Sequence, residues 1–265
     1  MAHAMKVEGA VCLVTGASSG IGRATAIALA RRGATVAVCA RRKEKLEETL
    51  APCRAAAPAC IAVACDVSDP AAVDAMVEEV IRTLGRVDVL VANAGVGRYR
   101  LFADETVDSI EEQVTTNLLG QMFCARAVLP GMQERRRGRL VFVSSTNGRI
   151  PPPLQAVYDA TKFGTIGFAE GLSYEVKAFG IGVTIVYPGP IDTEFFDAPE
   201  FARMRTPKKI PAERVADAIV RAIERDRFEV SVPALLTIPS KMRALFPGMV
   251  RRGVAGYAKD ALPKP

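Results

Sequence analysis

Val11-Cys12-Leu13-Val14-Thr15-Gly16-Ala17-Ser18-Ser19-Gly20-Ile21-Gly22 is the stretch on which the reading of this chain turns. A short apolar run enters a turn with three glycines, and an alanine-rich segment follows it. The run has the length of a buried strand, and the segment after it has helical composition. A strand that passes through a glycine turn into a helix presents unpaired backbone N–H groups and the positive end of the helix dipole, a natural seat for an anion. Gly16 permits the tight turn, Gly20 a close approach of backbone to a pyrophosphate, and Gly22 tight packing of helix on strand. The spacing is G-x-x-x-G-x-G, and the Gly-Lys-Ser/Thr of a P-loop is missing. A plain strand–helix connection would also explain Ser18, Ser19 and Ile21, so the turn alone does not establish nucleotide binding.

The same alternation recurs along the chain. Runs at Val11–Thr15, Thr35–Ala40, Ile61–Ala64, Val87–Ala92, Leu140–Ser144 and Val183–Tyr187 are apolar on both faces, as strands covered on both sides are. Amphipathic segments separate them at roughly 20–32, 41–56, 69–84, 106–136 and 157–179, and a helix near 212–226 and a strand at Phe228–Val232 complete the set. Such alternation folds into right-handed crossover units. The expected fold class is α/β: a doubly wound parallel sheet of about seven strands with helices on both faces, in a single domain over residues 1–265. Residues 188–211, with five prolines and with Phe195, Phe196 and Phe201, are expected to form a substrate lid, because compact domains seldom hold so long a plain connection. Residues 233–265 form a C-terminal extension that mixes Leu, Met and Phe with Arg and Lys and breaks at Pro247-Gly248.

Composition narrows the partners. The net charge is +6, but the basic residues are scattered and aromatics make up only 6%, which argues against a nucleic-acid surface. The densest basic run, Glu134-Arg135-Arg136-Arg137-Gly138-Arg139, falls where a helix should end, and cations there suit the helix dipole as a solvated C-terminus. Six cysteines lack any CxxC pairing and the one histidine is His3, so buried thiols in a reducing cytoplasm are expected and no metal site. No apolar run approaches the roughly 18 residues of a membrane-spanning helix, and the N-terminus lacks the apolar core of a signal peptide. Met1-Ala2-His3-Ala4 reads as an added leader ahead of a native start at Met5. A cytoplasmic location is the expectation.

The end of the second strand bears on the choice of nucleotide. A carboxylate there would bond a ribose 2′-hydroxyl and repel a 2′-phosphate. The sequence instead runs Cys39-Ala40-Arg41-Arg42-Lys43. Arginine forks suit phosphate oxygens, and cations at the start of a helix oppose its dipole. NADP(H), held by Arg41 and Arg42, is therefore expected over NAD(H).

Thr15-Gly16-Ala17-Ser18-Ser19-Gly20-Ile21-Gly22, Asp66-Val67, Asn93-Ala94-Gly95, Asn117, Ser144-Ser145, Tyr158-x-x-x-Lys162 and Pro188-Gly189-Pro190-Ile191-Asp192-Thr193 occur in this order. Together they resemble the short-chain dehydrogenase/reductase family in its single-domain Rossmann form, over roughly residues 7–232. Four residues of helix bring Tyr158 and Lys162 to nearly the same face. A free tyrosine, with a pKa near 10, is a poor base at neutral pH; a neighbouring ammonium and an oxidised nicotinamide should lower that value. The pair can then exchange a proton with a carbonyl or alcohol oxygen as hydride moves. A lone Y-x-x-x-K arises often by chance; Ser145, thirteen positions before Tyr158, supplies the spacing of the family.

Further roles are implied by the resemblance. Ser145, preferred to Ser144, would hold the substrate oxygen, and Asn117 would break its helix and anchor a water that links Lys162 to solvent. Asp66 would accept from the adenine amine with Val67 alongside, and Asn93, Ala94 and Gly95 would let backbone pass the adenosine ribose. Pro188, Gly189, Ile191 and Thr193 would meet the nicotinamide. The function expected is an NADP(H)-dependent oxidoreductase acting on a small-molecule carbonyl or alcohol, hydrophobic if the walls are Val96, Tyr99, Leu101, Phe102, Pro151-Pro152-Pro153-Leu154, Phe195, Phe196 and Phe201. The rivals are a 3-oxoacyl-carrier-protein-type reductase and a catalytically silent nucleotide-sensing scaffold. The resemblance also implies a homo-oligomer, tetramer or dimer, through residues 106–136 and 157–179. The apolar residues of the extension (Leu235, Leu236, Met242, Leu245, Phe246 and Met249) are expected to pack on the pocket or a partner subunit, in preference to a membrane surface.

Overall fold

The structure is a computed structural model that describes residues 4–197, 199–203 and 208–262. The opening strand, β1 (Val11–Thr15), is buried along its whole length and enters helix α1 (Gly20–Arg31) through the glycine turn. The chain then alternates β2 (Thr35–Ala40), α2 (Lys43–Ala56), β3 (Ile61–Ala64), α3 (Pro70–Leu84), β4 (Val89–Ala92), α4 (Val107–Val114), α5 (Gly120–Glu134), β5 (Gly138–Val143), α6 (Ala156–Val176) and β6 (Ile181–Pro188). A short parallel pair, β7 (Ile191–Asp192) with β8 (Ile210–Pro211), precedes α7 (Ala212–Glu224) and β9 (Glu229–Val232), and the chain ends in α8 (Thr237–Leu245) and α9 (Pro247–Ala261).

Seven strands form one parallel sheet in the order β3-β2-β1-β4-β5-β6-β9. Alternate residues of β1 serve opposite faces. Cys12 and Val14 join the core beneath α1, α2 and α7, while Leu13 joins the core beneath α3, α5 and α6. Each fully buried aliphatic side chain of this kind stabilises the fold by roughly 1.5–3 kcal/mol relative to its exposed state. Strand order reverses between β1 and β4, so the connections leaving their carboxyl ends diverge and open a crevice there. The expected α/β sheet with helices on both faces is thus what the chain builds.

Three expectations need correction. The helix expected over 106–136 is two helices joined by a π-helical turn at Thr115–Leu119, in which Asn117 is fully buried. The solvated basic run holds only for Arg135, Arg136 and Arg137. Arg139 lies inside β5, fully buried and paired with Asp226, because β5 begins at Gly138 rather than Leu140. In the extension, Leu236 abuts Gly189, whereas Leu235, Leu245, Phe246 and Met249 are exposed in the single chain, so of the expected packing on the pocket or a partner subunit these four do not make the pocket contact. All six cysteines are free and buried. Of the long connection, residues 198 and 204–207, Pro207 among them, lie outside the described residues, as do residues 1–3 and 263–265.

Candidate active site

At the carboxyl edge of the sheet lies a cavity of about 490 Å³. Its wall includes Gly16, Ser18, Ser19, Gly20 and Ile21 from the glycine turn, and Arg41, Arg42, Asp66, Val67, Asn93, Ala94 and Gly95 from the ends of β2, β3 and β4. Ser145, Tyr158 and Lys162 border it, as do Pro188, Gly189, Ile191 and Thr193. Two expected residues stand behind the wall: Gly22 under the turn and Asn117 beneath the loop after β4.

Gly16 takes a φ of +64° and Gly20 one of +53°, the left-handed region that other residues enter at a cost. The turn is also crowded: a Cβ on Gly22 would stand 2.3 Å from the Gly16 carbonyl oxygen. Asn93 is a strut, since its Nδ2 donates to the carbonyls of Thr15 at 3.1 Å and Gly16 at 3.2 Å. The Ser19 side chain does not cap α1, and the first turn of that helix holds no acidic residue. Its N–H groups and positive dipole end therefore suit a diphosphate.

Arg42 donates to Ser18 Oγ at 3.1 Å and to Glu194 Oε2 at 3.1 Å, tying the turn to the connection after β7. Arg41 sits beside it, 3.9 Å from Asp66 Oδ2 and about half exposed. The other oxygen of Asp66 accepts from the N–H and hydroxyl of Ser68. One guanidinium is engaged by the fold, and the other is held loosely at the rim.

The two serines at the end of β5 part company. The Ser144 hydroxyl donates to the Lys162 carbonyl at 3.0 Å, whereas Ser145 caps a short turn and accepts from the Asn147 N–H at 3.1 Å. Lys162 is 3% exposed and its Nζ donates to the Val143 carbonyl at 3.0 Å, 5.5 Å from the Tyr158 ring centre. Burial lowers the Lys162 ammonium to about 8. Burial also pushes the Tyr158 phenol up; the Ser145 hydroxyl offsets part of that rise and the Asp159 carboxyl adds to it. Desolvation is the largest influence on the phenol here, whereas the lowering expected from Lys162 together with an oxidised nicotinamide belongs to the cofactor-bound site. Asn117 closes the set from below: its Oδ1 accepts from the Val96 N–H at 2.7 Å and its Nδ2 donates to the Val96 carbonyl at 2.8 Å and to Thr161 Oγ1 at 3.1 Å. A side chain bonded to a loop 21 residues away explains why the helix widens into a π turn there.

A sequence model described as short chain dehydrogenase matches residues 10–200. This chain belongs to the short-chain dehydrogenase/reductase family. It is accordingly an oxidoreductase. It is 35% identical over 233 residues to the ketoacyl reductase HetN of Nostoc sp., covering 85% of this chain and 79% of that protein. The structure of an alcohol dehydrogenase from the archaeon Thermococcus sibiricus, complexed with 5-hydroxy-NADP, superposes with a TM-score of 0.75 at 26% identity, covering 84% of this chain and 95% of that one. A short-chain dehydrogenase/reductase from Burkholderia phymatum in complex with NAD shares the fold at a TM-score of 0.85 and 24% identity, over 91% of this chain and 94% of that one.

Around this family's site the apolar walls are only partly those expected. Val96, Phe195 and Phe196 line the cavity. Tyr99 and Phe201 are buried against each other with ring centres 5.9 Å apart, one layer behind it. Leu101 and Phe102 face solvent, and Pro151–Leu154 are absent from the described lining. The expectation missed Arg98, Asn147 and Gln155, which do line the cavity, and Asp159, buried behind them. Asn147 Nδ2 donates to Gln155 Oε1 at 3.1 Å and to Asp159 Oδ1 at 2.9 Å. Polar residues within three positions of Ser145 or Tyr158 were the available signal for Asn147, Gln155 and Asp159, while Arg98 follows the end of β4 by six positions and had none of that kind.

Proposed function

We propose that this protein transfers a hydride between NADP(H) and a small-molecule carbonyl or alcohol of largely hydrophobic character. The observation that carries the reading is that Ser145, Tyr158 and Lys162 border the same cavity as the glycine turn. A bound nicotinamide supplies the hydride to a carbonyl carbon or takes one from a carbinol. Tyr158, protonated at neutral pH because burial holds its phenol up, is placed to give its proton to the carbonyl oxygen. Ser145 holds that oxygen, and Lys162 stands under the phenol as the cation that stabilises phenolate once the proton has left. Asn117 fixes the loop of Val96, and hence the floor of the site. Residues 188–211 act as the lid, with Phe195 against the Tyr158 ring at 5.6 Å between centres. The Ser145, Tyr158 and Lys162 set disfavours a silent scaffold. A 3-oxoacyl thioester is the second substrate reading, favoured by the name of the Nostoc relative. We place the enzyme in the cytoplasm as a dimer or tetramer of the kind usual in this family.

Arg41 and Arg42 support NADP(H) over NAD(H), since Ala40 leaves no carboxylate at the ribose and two guanidinium groups follow. Charge-assisted bonds to a phosphate are worth about 1.5–3 kcal/mol each. Arg41→Ala should therefore lower the NADPH-over-NADH preference by roughly 10- to 100-fold, read as the ratio of kcat/KM values on one ketone. A wild-type enzyme that binds NADH as well as NADPH, or an unchanged ratio in the variant, would remove the assignment. A broad panel of ketones and alcohols, followed by NADPH absorbance, tests the substrate class; best turnover on a polar sugar would overturn the hydrophobic reading.

A further inference from the structure

We propose that the C-terminal segment from Pro233 docks this protein on an anionic lipid surface. The segment opens with a 3-10 turn at Ala234–Leu236 and continues through α8 and α9. Leu236 at Gly189 and Arg243, which lies over the Phe163 ring and reaches the Arg149 carbonyl, fasten it to the body of the fold beside the cavity. The exposed residues facing away are mainly apolar, with Lys241 among them. Leu235, in the 3-10 turn, and Leu245 are 71% exposed, and Ile238, seven residues before Leu245 on the same face of α8, is 56% exposed. Past the bend, Phe246 and Met249 continue the patch at 54% and 48% exposure. An amphipathic helix normally turns such a stripe inward, so a contiguous exposed one marks an interaction surface.

Charge selects the occupant. Residues 233–265 hold six cations, Lys241, Arg243, Arg251, Arg252, Lys259 and Lys264, against the single anion Asp260. Five of the six net positive charges of the whole chain therefore sit in this segment. Two copies meeting through this patch about a two-fold axis would bring like charges together. Anionic headgroups above a hydrocarbon layer match both features, with Leu and Phe entering the acyl boundary and the exposed Lys241, Arg251 and Arg252 held at the phosphates.

The test is flotation of the full-length protein with vesicles of phosphatidylcholine alone and of phosphatidylcholine mixed with phosphatidylglycerol. The protein should float with the mixed vesicles at least about tenfold better than with the neutral ones, and high salt should weaken that preference. Leu235→Glu with Leu245→Glu should abolish flotation while circular dichroism and thermal melting stay those of wild type, as expected for exposed positions. Arg251→Glu with Arg252→Glu should remove the preference for phosphatidylglycerol. Three outcomes would overturn the proposal. One is no binding to the mixed vesicles. Another is binding that the leucine variants retain. The last is a concentration-dependent association in light scattering that the leucine variants abolish, which would assign the patch to a second copy of the chain.

Discussion

Tyr158→Phe lowers kcat/KM for carbonyl reduction by about 10³-fold and leaves thermal stability close to that of wild type. The substitution deletes one oxygen and keeps the ring, so the contact with Phe195, at 5.6 Å between centres, survives, as does the position of Lys162 beneath it. What disappears is the proton donor. Burial holds that phenol protonated well past neutrality, so the wild-type reduction rate should not decline between pH 6 and 8 through loss of this proton. The structural cost of the deletion is bounded by one hydrogen bond to Ser145, on the order of 1 kcal/mol. Single-turnover rates at saturating NADPH separate this loss from any change in binding, because a group used only as hydride moves alters kcat and not substrate affinity. A variant as active as wild type would show that the proton comes from another group, and Lys162, with an ammonium lowered to about 8, would be the next to test.

How much of this was legible in the sequence depends on how far away each determinant lies. Strand β1 and the glycine turn were readable to the residue, because apolar length and glycine spacing are local properties. The pairing of Tyr158 with Lys162 on one helix face follows from helical pitch alone. The interruption of the helix at Asn117 was implied by the family resemblance, but its π form at Thr115–Leu119 was not readable from local pattern, since the Asn117 side chain bonds to Val96, on a different element. Arg139 misled for the same reason. A guanidinium next to three solvated arginines looks solvated, and only its pairing with Asp226, 87 residues onward, shows it inside the sheet. Leu101, Phe102 and Pro151–Leu154 are apolar and near the site in sequence, yet the loop path carries them away from the cavity. Proximity along the chain fixed which segments border the site and not which side chains enter it.

Asp159 shows the same limit and carries the last expected result. In sequence it is an acid in the first turn of α6, where a carboxylate complements the helix dipole and is usually solvated. In the fold it is 4% exposed, its Oδ1 accepts from Asn147, and its Oδ2 is buried without a hydrogen-bond partner among the described residues. Burial raises its carboxyl from the usual 3.8 to about 8, only partly opposed by the Asn147 bond. Between those two values the folded chain holds a proton that the unfolded chain has released, so stability falls as pH rises from about 4 to 8. The loss across that window is on the order of a few kcal/mol. Lys162 acts in the opposite sense, but only from about 8 up to the ordinary 10.5 of a lysine, where its lowered value makes stability rise with pH. Melting temperature should therefore decline steadily from pH 5 to pH 8 in the wild type, and Asp159→Asn should flatten that decline. Parallel curves for the two proteins would mean that the carboxylate is ionised and solvated in the fold. The same titration reaches the chemistry, because ionised Asp159 raises the Tyr158 phenol beside it. Removing the charge should move the onset of alcohol oxidation, which needs the phenolate, to lower pH while leaving the Ser145 contact in place.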